Sequence, residues 1–232
     1  MIGIMGGTFD PIHFGHLRSA LEVCERLSLT QVRFVPCSVP PHRPQPMASA
    51  RQRLKMVEMA LANTPQFVLD DRELRRTNGA SYSVDTLRSL SKEFDEPLVL
   101  MLGADAFFNF NCWKNWREIL EMANIVISCR PDHKVPKLES WAKGRMVESA
   151  EELQQSKAGK IMFIEVTQLA ISATNIRHQL LEGLSARYLM PLEVADYINN
   201  QELYCSSDDY ERSHNYEIAN IIDLKRHAIL SA

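Results

Sequence analysis

Residues 6–16 read GGTFDPIHFGH and place two histidines, His13 and His16, on either side of Gly15. They follow a short apolar run, MIGIMG, that reads as a strand. From Gly15 the pattern turns helical, with Leu17, Ala20, Leu21, Cys24 and Leu27 on one face. The histidines therefore sit where a strand hands over to a helix. Gly6 and Gly7 let a backbone approach a ligand closely. Thr8 adds a hydroxyl, and the helix N-terminus adds unpaired N–H groups and partial positive charge. Two imidazoles there can donate to phosphate oxygens, and better still when protonated. A tight turn with two surface histidines is the plainer reading, but the second histidine and the TFDP run argue against it. A metal on the histidine pair would need further Cys or acidic ligands, and none has suitable local spacing.

A second cluster, ISATNIR, occupies residues 171–177. Ser172 and Thr174 open a predicted helix that runs to Leu181 and ends at Gly183. Ser172 alone would be an N-cap and Arg177 alone an exposed charge. Together they put two hydroxyls, helix N–H groups and a guanidinium at one helix mouth, which suits a polyphosphate.

The elements that must hold these clusters alternate. Strands are expected at VRFVP (32–36), FVLD (67–70), PLVLMLG (97–103), NIVISC (124–129) and KIMFIEV (160–166). Helices are expected between them, including one opened by Ser49 and Gln52 at capping-box spacing, one near Ser83–Phe94 and one around Trp116–Ala123. A last helix begins at Pro191. The proline-rich stretch 39–46 is a loop, and 132–158 reads as a polar surface insertion. This alternation predicts a Rossmann-like, doubly wound α/β fold: a mostly parallel sheet with helices on both faces. One domain is expected over 1–204. Residues 205–232 would be an extension, a polar linker and then an amphipathic helix, packed either on its own domain or on a second copy in a homo-oligomer.

Composition narrows the class. The 232-residue chain has a net charge of −3, which gives no basic field for a nucleic-acid partner. Five scattered cysteines without CxxC spacing favour reduced thiols in the cytoplasm. No run reaches membrane-spanning length, and the N-terminus lacks signal-peptide order.

GTFDPIHFGH followed by ISATNIR resembles the nucleotidyltransferases that carry an HxGH and an ISxTxxR signature. Within that superfamily PPHRP (40–44), ASYSVDTL (80–87), LGAD (102–105) and Trp113 are similar to bacterial nicotinate mononucleotide adenylyltransferases. The resemblance covers roughly residues 1–204 and implies AMP transfer from ATP to nicotinate mononucleotide, with Mg²⁺ and no covalent enzyme intermediate. It implies that His13, His16 and Arg177 stabilise charge, and that Gly6, Gly7, Thr8, Ser172 and Thr174 help bind ATP. Gly103 and Asp105, just past the buried strand, would hold a ribose. Trp113 would stack on the pyridine ring, while Trp116 belongs to the core. Tyr82, Ser83 and Thr86 open a helix on the acceptor side, where Ser83 and nearby backbone N–H groups would receive the nicotinate carboxylate. Arg43 would approach the acceptor phosphate, and Arg130 lies at the same edge. Nicotinamide mononucleotide or phosphopantetheine as acceptor, and an inactive nucleotide-binding regulator, are the alternative readings.

Overall fold

In a computed structural model the residues described are 1–39, 45–76, 81–130, 138–167 and 169–205. Among them, six strands form one parallel sheet: β1 (Ile2–Gly7), β2 (Gln31–Pro36), β3 (Phe67–Leu69), β4 (Leu98–Gly103), β5 (Ala123–Cys129) and β6 (Ile161–Glu165). Their spatial order is β3-β2-β1-β4-β5-β6. Parallel neighbours need crossovers, and helices supply them: α1 (Phe14–Arg26), α2 (Ala50–Leu61), α3 (Ser83–Glu93), α4 (Ala104–Phe108), α5 (Trp116–Met122), α6 (Ser140–Lys143), α7 (Ala150–Gln154), α8 (Ala173–Leu181) and α9 (Leu192–Asn200).

The sheet is buried on both faces, so its central strands are apolar throughout rather than alternating. All seven residues of β5 are buried. In β4, Val99 and Met101 join one core with Val23, Met56, Val57, Ile176 and Val194 from α1, α2, α8 and α9. Leu98, Leu100 and Leu102 join the other, with Val84, Leu87 and Leu90 of α3 and Ile119 of α5. The period-two alternation of a strand thus divides one apolar run between two helical layers.

Local signals set several boundaries. Gln52 N–H donates to Ser49 Oγ, and Ser49 N–H donates back to Gln52 Oε1, closing a reciprocal cap at α2. Gly183 lies past the end of α8 at φ +71°, in the left-handed region that favours glycine. The expected surface insertion is a correction. Residues 138–158 place α6 and α7 at the β6 edge and bury Ala142, Val147 and Leu153. Those three apolar residues have no helical or strand period, which hid their core role. Residues 131–137 lie outside the described residues, as does the tail from residue 206.

Candidate active site

The chemistry-bearing residues converge where the strand order reverses. β1 pairs with β2 as far as Gly7↔Pro36, and β4 pairs with β5 as far as Gly103↔Ser128. Between β1 and β4 the pairing stops at Ile4↔Leu100. The last three residues of each strand therefore part and open a crevice at their carboxyl ends, the usual ligand position in such sheets. Gly6 and Gly103 stand on its two sides, and a Cβ added at either would meet no atom within 4 Å. Gly7 differs, because a Cβ there would lie 2.9 Å from the Phe9 ring.

The loop after β1 carries the histidines. His13 is the N-cap of α1, and its backbone N–H donates to His16 Nδ1 at 3.3 Å. The two rings stack with centroids 3.8 Å apart, and Phe9 packs edge-on against His16. Gly15 makes this possible: a Cβ there would sit 2.9 Å from His13 Nδ1 and 3.3 Å from the Ile171 carbonyl oxygen. Here glycine serves close packing between the histidine loop and the residue that precedes the Ser172 cap of α8.

Burial lowers the His13 pKa to about 4. Burial, and then the neighbouring His13, hold His16 well below the usual histidine value. Both rings are therefore neutral at pH 7 in the free protein, in contrast to the protonated donors the sequence suggested as the stronger form. The bond from His13 N–H makes His16 Nδ1 an acceptor, so the neutral ring carries its proton on Nε2 and can donate there. His13 Nδ1 is buried and unpartnered. An incoming polyphosphate would push both pKa values up, since opposite charge favours the protonated form.

The second cluster meets the first through Arg177. Ser172 Oγ caps α8 by accepting from Asn175 N–H at 3.2 Å, and Ile176 is fully buried. Thr174 is exposed in the first turn. Arg177 Nη1 donates to the Asp10 carbonyl at 2.7 Å and lies 3.8 Å from Asp10 Oδ2. The Asp10 carboxylate, 4% exposed, accepts from Met47 N–H, Ala48 N–H and the Tyr204 hydroxyl. Arg53, 1% exposed, donates to the carbonyls of Thr8 at 2.7 Å and Ser38 at 3.2 Å.

Neither Arg53 nor Tyr204 was foreseen. Arg53 had a visible signal: it shares the apolar face of α2 with Met56 and Val57. Tyr204 had none, because its partner is 194 residues away.

A third group lies at the mouth of α3. Tyr82 is the N-cap but gives no side-chain capping bond; its carbonyl accepts from Asp85 N–H, and its side chain leaves the N–H groups of Ser83 and Val84 uncapped. Lys114 Nζ sits 4.2 Å from the Tyr82 ring centroid and brings the Trp113 segment to this helix. Trp113 is half-buried and tilted against Phe110, while Trp116 packs against Trp141 and Phe110. Ser83 is half-buried beside Tyr82. Thr86 departs from its expected place: it is 3% exposed and its hydroxyl donates to Glu73 Oε1 at 2.5 Å. Position four of the helix simply faces inward. Burial pushes the Glu73 carboxyl pKa up. Gly103 rather than Asp105 is the N-cap of α4, and Asp105 is exposed in its first turn. Arg130 is exposed just past β5, and Arg43 lies outside the described residues. Among the described residues no group of three or more His, Cys, Asp or Glu could hold a metal ion.

The parted strands, the stacked histidines and the helix mouth at α8 gather hydrogen-bond donors around one crevice of a Rossmann-like sheet. Residues 4–179 match the cytidylyltransferase-like family model, and the chain belongs to that nucleotidyltransferase family. It is 50% identical over 209 residues to a probable nicotinate-nucleotide adenylyltransferase of Methylococcus capsulatus, covering 88% of this chain and 99% of that one. It is 47% identical to a protein of the same description from Hydrogenovibrio crunogenus, covering 88% and 97%. Plasmodium falciparum nicotinic acid mononucleotide adenylyltransferase complexed with NaAD shares the fold, with a TM-score of 0.67 at 19% identity, covering 88% of this chain and 96% of that chain.

Proposed function

We propose that this chain transfers AMP from ATP, taken as its Mg²⁺ complex, to nicotinate mononucleotide, giving deamido-NAD and pyrophosphate. The observation that carries this reading is the crevice between β1 and β4, flanked by the histidine loop and by α8, which the Arg177–Asp10 bond joins. An oxygen of the acceptor phosphate attacks the α-phosphorus of ATP, the bond from that phosphorus to the bridging oxygen breaks, and pyrophosphate leaves. Such a transfer needs positioning and charge neutralisation more than a protein nucleophile. Cys37, whose thiol reaches Thr8 Oγ1, is a poor nucleophile because burial raises its pKa.

His16 donates through Nε2, and with His13, Arg177 and the N–H groups of α1 and α8 it stabilises the charge that builds on the phosphates. Gly6, Gly7 and Thr8 line the near wall, Ser172 and Thr174 the α8 mouth, and Gly103 with Asp105 the ribose side. Mg²⁺ would be held mostly by the ATP phosphates and water, and would supply charge neutralisation to the leaving pyrophosphate. The uncapped start of α3 at Tyr82 and Ser83 receives the nicotinate carboxylate, and Trp113 packs on the ring. Thr86 contributes through the structure, as an internal anchor to Glu73. Arg43 and Arg130 complete the acceptor side. Domain 1–204 carries this activity in the cytoplasm, without nucleic acid or membrane, and 205–232 is an extension.

Purified protein with Mg²⁺-ATP and either nicotinate or nicotinamide mononucleotide tests the reading. Pyrophosphate release with the nicotinate form, faster than with the amide, is expected; none with the nicotinate form refutes it.

A further inference from the structure

Asp10 presents a difficulty for a phosphate site. Its side chain is the carboxylate nearest Arg177, with Oδ2 3.8 Å from Nη1, and a carboxylate competes with phosphate for the same guanidinium. A full ion pair would close that gap to about 2.8 Å. Three donors surround the carboxylate instead. Met47 N–H bonds Oδ2 at 2.9 Å; Ala48 N–H and the Tyr204 hydroxyl bond Oδ1 at 3.1 and 2.7 Å. Two donors fill the lone pairs of Oδ1 and spread its charge. Arg177 then bonds the Asp10 backbone carbonyl, a neutral acceptor, through one nitrogen only. Among the described residues its other donors stay available to an anion.

Of the three donors, only Tyr204 is a side chain and only it lies outside the loop ahead of α2. It is 5% exposed and held at φ +64°, and burial followed by the Asp10 contact keeps its hydroxyl protonated far above neutral pH.

We propose that Tyr204 is a positioning residue for nucleotidyl transfer: by donating to Asp10 it keeps that carboxylate from closing on Arg177, and so leaves the guanidinium to ATP. This rests on the reading of Arg177 as a phosphate-binding group. Tyr204→Phe keeps the ring and its packing and removes only the donor. Asp10 then turns its freed lone pair and undivided charge toward Arg177.

The test is a double-mutant cycle on the full chain, with Tyr204→Phe, Arg177→Ala and the double variant, read as kcat/KM for ATP and as KM for the mononucleotide. Tyr204→Phe lowers kcat/KM for ATP about tenfold, the size of one charged hydrogen bond, and moves the acceptor KM less than about twofold. In the Arg177→Ala background the same change has almost no further effect. Additive losses, equal losses for both substrates, or parental kinetics in Tyr204→Phe would overturn the role of Tyr204 alone. Parental kinetics in Arg177→Ala would overturn the reading of the phosphate site itself.

Discussion

Gly15→Ala separates stability from catalysis at this site. The new Cβ would stand 2.9 Å from His13 Nδ1, 3.0 Å from its Cε1 and 3.3 Å from the Ile171 carbonyl oxygen. The His13 ring cannot simply swing aside, because it is 5% exposed and stacked on His16 at 3.8 Å. Overpacking of this kind costs about 1–3 kcal/mol. Gly15 is also the second residue of α1, where alanine gains about 1 kcal/mol over glycine. The net loss of stability is therefore about 0–2 kcal/mol, and the fold survives. The catalytic loss is larger. To relieve the contact, His13 or the segment leading into Ser172 must shift by several tenths of an ångström, and misplacements near 1 Å can cost about 100-fold. Thermal melting with kcat/KM on the same preparation checks this. Expected are a Tm within about 8 °C of the parent and kcat/KM lower by about 30–100-fold. A variant with parental kcat/KM would show that the close approach of α1 to Ile171 has no bearing on transfer.

Other expectations follow from the same geometry. His16→Ala should keep the fold and lose about 100–1,000-fold in kcat, as for removal of one preorganised donor; a loss under about fivefold would remove it from the chemistry. His13 has a folded pKa near 4, below its unfolded value of about 6.5, so the unfolded chain binds the extra proton between those values. Wild type should then lose stability relative to His13→Ala as pH falls from about 6.5 to 4, by up to roughly 3 kcal/mol, measurable by urea titration across that range; parallel curves would refute the assignment. Arg53→Met leaves the Thr8 and Ser38 carbonyls without that donor and should cost about 2–4 kcal/mol in denaturant unfolding. A cost below about 0.5 kcal/mol would mean that the loop does not depend on it.

The fold was legible because each strand carries its own local evidence: continuous apolar runs bounded by glycine, proline or capping residues. The two phosphate motifs were legible for the same reason, being short and contiguous. What escaped was of two kinds. Side-chain direction within a helix start was hidden, so Thr86 was read beside Tyr82 and Ser83 although it faces Glu73. Support from distant segments was hidden too. The α2 pattern puts Arg53 on an apolar face but does not name the Thr8 and Ser38 carbonyls it meets, and nothing near Tyr204 points to Asp10. Protonation was equally unreadable, since the pKa of His13 depends on burial that the loop itself creates.

Tyr204 also sets an order of events during synthesis. The hydroxyl that bonds Asp10 is made 194 positions after the histidine loop that carries this carboxylate. A nascent chain that already holds β1, α1 and β2 still lacks that donor, and the contact is among the most non-local in the fold. The phosphate site therefore reaches its final form only after α9 has left the ribosome and docked, so a prematurely ended chain carries both histidines in an unfinished loop.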